Sequence, residues 1–240
     1  MKKDDQRPAP PSNLPVLKSV ETGRPSAFTL VELLVVIAII GILAGLIVGL
    51  SAFAGRKMRE SRIRSELNQL ITAIEAYHSK FGHYPPDSVV PGTTIPNPAT
   101  NQLYYELTGT VVDNVAKTFR TPNRQATLPA TAVQAYFGAE GFVNSSADPK
   151  QIKSFMSFRA SQYQTLSSNP SPEVELLVVP VPWPLTSSAQ PTGKKGLNPW
   201  RYVSRNPTNN PTTFDLWAEF VDGGKVKVIC NWSKEILERP

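Results

Sequence analysis

The 240-residue chain is poor in the residues that do most chemistry: it has one cysteine, Cys230, and two histidines, His78 and His83. A lone cysteine excludes an intrachain disulfide and a cysteine-rich metal centre. Two histidines five positions apart, with only Asp87 close in sequence to join them, fall short of a zinc ligand set. The chain also lacks a Gly-rich phosphate loop, a Gly-x-Ser-x-Gly elbow and a His-Glu-x-x-His helix. Nucleotide-dependent, serine-hydrolase and zinc-protease chemistry are thereby left without their usual carriers.

Two further absences are local. The chain holds 23 prolines, yet none falls between Pro25 and Pro85. Because proline breaks helix interiors, this gap predicts one uninterrupted helix over about 28–83. Charge is missing over part of the same span. Residues 28–55, FTLVELLVVIAIIGILAGLIVGLSAFAG, carry a single ionisable side chain, Glu32. A helix of that length measures roughly 42 Å, more than the ~30 Å hydrocarbon core of a bilayer. The segment therefore reads as membrane-spanning, and a carboxylate within it is costly enough to mark Glu32 as functional.

What is present divides the chain around this segment. Residues 1–27 are polar and proline-rich and read as a leader with no core of its own. The net charge is +6, but Arg56, Lys57, Arg59, Arg62 and Arg64 cluster just past the apolar run, which points to a membrane surface more than to nucleic acid. From Ile63 the pattern turns amphipathic: Ile63, Leu67, Leu70, Ile71, Ile74, Tyr77 and Phe81 recur at helical steps over 56–84. Gly82 and the pair Pro85-Pro86 end that helix.

Residues 85–240 form the head. Within 85–176 the patterns are weak: 103–108 (LYYELT) predicts a short helix, and Asp148-Pro149 suggests a helix start ahead of 151–158. The region 177–240 reads as β. Residues 174–181 are a β-branched run, 200–204 a short strand, and 214–221 alternate with Phe214, Leu216, Ala218 and Phe220 on one face. In 225–232, Val226, Val228, Cys230 and Trp232 share a face, and Asp222-Gly223-Gly224 between the two runs signals a tight hairpin. The expected architecture is α+β, a long N-terminal helical spine packed on a small antiparallel sheet.

The string SAFTLVELLVVIAIIGILAG resembles the N-terminal signature of type IV prepilins and type II secretion pseudopilins. The resemblance implies a pilin-like fold and cleavage by a prepilin peptidase between Ala27 and Phe28, with N-methylation of the new Phe28 amine. It makes Glu32 the fifth mature residue, an assembly residue that meets the protonated N-terminus of a neighbouring Phe28 or of its own within an apolar bundle. It further implies insertion in the inner (cytoplasmic) membrane with the N-terminus cytoplasmic and the head periplasmic. There the subunit would polymerise into a homo-oligomeric filament with an assembly platform and minor pseudopilins as partners. A count of flanking basic residues alone gives the opposite orientation. Two departures stand out: Ala27 replaces the usual glycine before the cut, and Gly49 stands where many members carry proline. Gly41, Gly45 and Gly49 instead recur every four residues on one helix face, a spacing that suits either close helix packing or local stretching.

A second string, LNPWRYVSRNPTNNPTTFDLWAEFVDGG, resembles the C-terminal region of major pseudopilins. In that group two aspartates seven residues apart help to hold a Ca²⁺ ion, and Asp215 and Asp222 keep that spacing. Gly224 stands where the group often has a further polar ligand. Two other readings remain at this point: an enzymatic or binding head on an uncleaved signal anchor, and a DNA-uptake pilin using Lys194, Lys195, Arg201 and Arg205 around Trp183 and Trp200.

Overall fold

The computed structural model describes residues 28–122, 127–166 and 172–239, apart from the side chains of 47–52. The chain forms two compact units, Met1–Leu50 and Ser51–Pro240. A single helix, α1 (Leu30–Phe81), begins in the first unit and ends in the second, as the proline gap predicts. It stops where Gly82 takes a φ of +77° and donates its N–H to the His78 carbonyl, a conformation that favours glycine. The expected leader, 1–27, lies outside the described residues.

In the first unit α1 has nothing to pack on among the described residues. Every large apolar side chain from residue 28 to 46 is exposed, the least being Val36 at 45%. Among the described residues no helix is long and apolar enough to cross a membrane. The described apolar side chains of the span expected over 28–55 run from 28 to 46 and resume at 53. The remainder of the span expected over 28–55 includes the side chains of 47–52.

In the second unit the helical stripe is buried as its spacing requires. Ile63, Leu67, Leu70, Ile74 and Tyr77 are each at most 3% exposed, and they belong to one core with Leu216, Ala218, Phe220 and Ile229. The next elements are α2 (Leu103–Thr108), β1 (Thr110–Asp113), β2 (Thr118–Arg120), β3 (Leu128–Pro129), α3 (Ala130–Phe137) and β4 (Ser145–Ser146). Strands β3, β2, β1 and β4 form a sheet in that order, antiparallel except for the parallel β1–β4 pair. Helix α2 matches its sequence expectation, whereas this sheet had no clear pattern to announce it. The helix suggested over 151–158 is absent: Asp148 caps only a three-residue 3₁₀ turn, Pro149–Gln151, by accepting the Lys150 N–H at 2.9 Å.

Strands β5 (Tyr163–Thr165) and β6 (Glu175–Leu177) pair as a small ribbon. Only these first residues of the β-branched run enter a ladder; Val178 adds one isolated bridge to Pro199. The last sheet is antiparallel, in the order β10 (Leu237–Glu238), β9 (Lys225–Cys230), β8 (Asp215–Asp222), β7 (Arg201–Val203). Gly223 and Gly224, at φ of +61° and +79°, make the two-residue turn between β8 and β9. Phe214, Leu216, Ala218 and Phe220 are all buried, so the predicted inward face holds.

Candidate functional site

At the head of α1, Phe28 is 80% exposed, and Ala27 lies outside the described residues. Thr29 and Glu32 bond reciprocally. The Glu32 Oε2 accepts the Thr29 backbone N–H at 2.9 Å and the Thr29 hydroxyl at 2.8 Å, while Thr29 Oγ1 accepts the Glu32 N–H at 3.2 Å. This is a capping box, in which two otherwise unpartnered N–H groups of a helix start are satisfied by each other's side chains. The Thr-x-x-Glu spacing carries that signal in the sequence. Within one copy Glu32 is thus a cap whose partner is two atoms of Thr29, and Oε1 carries no bond to another described residue.

Gly41 and Gly45 lie in α1 with nothing within 4 Å of an added Cβ. Gly49 is helical too, within the stretch whose side chains are not described. The space beside the first two is therefore open to another molecule. Together with the exposed apolar residues around them they form a surface of the size and kind that marks a protein or membrane contact.

The two aspartates read as calcium ligands do not converge. Asp215 opens β8 and Asp222 closes it. Seven steps of an extended strand separate them by roughly 23 Å, whereas Ca²⁺ holds its oxygens at about 2.3–2.6 Å. They cannot share an ion. Each has other work. The Asp215 Oδ2 accepts N–H groups from the Asn209 backbone and its side-chain amide, and Oδ1 accepts the Asn210 N–H, all at 2.9 Å. Asp222 pairs with Lys227 at 3.1 Å and Arg59 at 3.6 Å. The Lys227 hydrogen bond is the main cause holding its carboxyl below the usual range. Among the described residues no three His, Cys, Asp or Glu side chains are grouped to hold a metal. His78 instead stacks on Tyr84 with ring centroids 4.3 Å apart, and the His83 Nδ1 lies 2.9 Å from the Tyr84 carbonyl oxygen.

Most of the basic and aromatic residues of the DNA-uptake reading are buried or paired by the fold. Trp200 is 1% exposed and Trp183 8%. Arg201 is buried, pairs with Glu219 at 3.2 Å and stacks over Trp183 at 5.6 Å. Burial lowers its guanidinium to about 10, still cationic at neutral pH. Lys194 bonds the Thr165 carbonyl and Arg205 pairs with Asp87, while Lys195 is exposed; among the described residues neither Trp183 nor Trp200 presents an open ring on which a base could stack. Cys230 is buried and its thiol is pushed up by desolvation, the opposite of an activated nucleophile.

One buried charge gave no sequence signal. Glu106, on α2, is fully buried: Oε2 accepts the Tyr77 hydroxyl at 3.0 Å and the Asn144 N–H at 2.9 Å, and Oε1 accepts the Val143 N–H at 2.8 Å. Desolvation raises its carboxyl above the ordinary value against these bonds. The group ties the spine helix to the loop ahead of β4, a structural role.

Residues 24–48 match the family model of the prokaryotic N-terminal methylation motif. This is the prepilin signature of type IV pilins and pseudopilins, the substrate class of prepilin peptidase. No curated protein and no solved structure matches the chain.

Proposed function

We propose, from the premise that residues 24–48 carry the prepilin signature, that this chain is a structural subunit of a type II secretion pseudopilus or a related type IV pilus-like filament. Prepilin peptidase removes 1–27, and Phe28 becomes a methylated N-terminus. Residues 28–55 hold the subunit in the inner membrane, head outward, until assembly. The observation that carries this reading is the bare apolar surface of α1 within the matched segment. Its large side chains are exposed from residue 28 to 46 although the head has its own complete core. Because this surface leaves lipid rather than water, cohesion between neighbouring copies comes from close side-chain packing and from polar pairing within the bundle.

Glu32 fits the same reading. Its capping bonds fix the carboxylate at the first turn. A neighbour's protonated Phe28 amine would offset a charge that is costly in an apolar bundle. The pseudopilus is favoured over the pilus by the C-terminal strand pattern. The filament is tested by cysteine cross-linking of an Ile37→Cys, Cys230→Ser chain coexpressed with an assembly system. A covalent dimer is expected, the largest product that one cysteine per copy allows, and a processed chain that yields only monomer contradicts polymerisation through this helix.

A further inference from the structure

In the second unit, the turns of α1 that follow the apolar run carry ion pairs of a consistent asymmetry. Lys57 is 63% exposed and its partner Glu60 14%; Arg59 is 51% exposed and Asp222 15%; Arg62 is 57% exposed and Glu66 9%. In each pair the carboxylate is drawn against the protein and the cation faces out. Asp222 serves two cations at once, Arg59 and Lys227, and so pins the tip of the β8–β9 hairpin beside this part of the helix. Arg56 is exposed and makes no direct ion pair among the described residues, although its charge helps to lower the Asp222 carboxyl. Five cations here meet three carboxylates, and the outward face is the positive one.

We propose that Arg56, Lys57, Arg59 and Arg62, with Lys227 of the pinned hairpin, form a basic collar that docks on anionic phospholipid headgroups before the subunit is assembled. This rests on the membrane-inserted reading of residues 28–55. Chain order places Arg56 directly after that apolar run. Residues 56–62 rise roughly 9 Å along the helix, comparable to the ~5–8 Å headgroup layer on one side of a bilayer. Clustered Lys and Arg at such a depth are the chemistry that selects anionic over zwitterionic lipid. A second copy of the chain is the competing occupant: Asp87 and Glu219 follow the same inward-drawn pattern, and the number of copies per disc separates the remaining exposed carboxylates of a neighbour from lipid.

The full chain is reconstituted at one copy per disc in nanodiscs of phosphatidylcholine alone or mixed with phosphatidylglycerol. Amide exchange is then read at the 222–225 hairpin tip. Exchange is expected to be roughly fivefold slower with the anionic lipid, and the difference to vanish in high salt. An Arg56→Gln, Lys57→Gln chain, which leaves the Asp222 pairs intact, is expected to lose the difference as well. Equal exchange in both lipids, with the chain resistant to carbonate extraction, overturns the collar and leaves the membrane reading standing. A chain that carbonate extracts overturns both. Slowing that appears only as copies per disc increase assigns this face to a second copy and overturns the lipid assignment.

Discussion

Glu106 and Glu32 are both carboxylates flanked by apolar residues in the sequence, but their surroundings differ completely. Glu106 is fully buried on three donors, and desolvation raises its carboxyl. Its folded form therefore holds a proton above the ordinary 4.5, so its contribution to stability is complete below that value and is lost as pH rises through the raised folded value. Glu106→Gln removes this dependence. It also turns an amide donor towards N–H groups that need an acceptor, at a cost of about 1–3 kcal/mol. Chemical denaturation of the two chains at pH 5 and pH 8 checks both the loss and the flattened profile. Glu32 is exposed and local to Thr29, which separates its two roles. Thr29→Ala breaks the cap and keeps the charge, whereas Glu32→Gln keeps an acceptor and loses the charge. Cross-link yield is expected to fall far more for Glu32→Gln than for Thr29→Ala; equal losses would reduce Glu32 to a cap. The Thr-x-x-Glu cap was legible in the sequence. Glu106 was not, because a polar residue inside a six-residue helix gives no periodic sign of its burial.

At the scale of elements, α1 was the most legible part, since absence of proline, helical spacing and Gly82 agree on one helix. The outer glycine face keeps its meaning only if another molecule approaches it. A Cβ added at Gly45 meets nothing within 4 Å among the described residues, so for Gly45→Leu helix formation and head stability are expected to be unchanged while cross-link yield drops, measured by circular dichroism and cross-linking together. Strand β8 corrected the reading of its two aspartates. A spacing of seven that resembles a shared ligand pair becomes, in an extended strand, two opposite ends. The 206–215 loop closes on Asp215 through three N–H donors where an ion was expected. Chelator or added Ca²⁺ is accordingly expected to leave the melting temperature unchanged, while Asp215→Ala lowers stability by roughly 2–4 kcal/mol. Calorimetry with and without EDTA decides this; a chelator-induced drop of several degrees would restore the ion. The β1–β4 sheet was illegible because its strands are two to four residues long, too short for alternation to register.

The whole molecule joins a head with a closed core to a helix surface that nothing in the described chain covers. That contrast was visible in composition, as apolar residues concentrated in one run and cations just behind it. What composition could not show is the inward turn of the carboxylates, which depends on tertiary partners such as Asp222. The central claim is that residues 28–55 are a polymerisation element released by cleavage at their front edge. Intact mass and N-terminal sequencing of the protein from a host with a prepilin peptidase test this most directly. The account predicts a chain beginning at methylated Phe28; a chain that retains Met1, or is cut beyond Ala52, contradicts it.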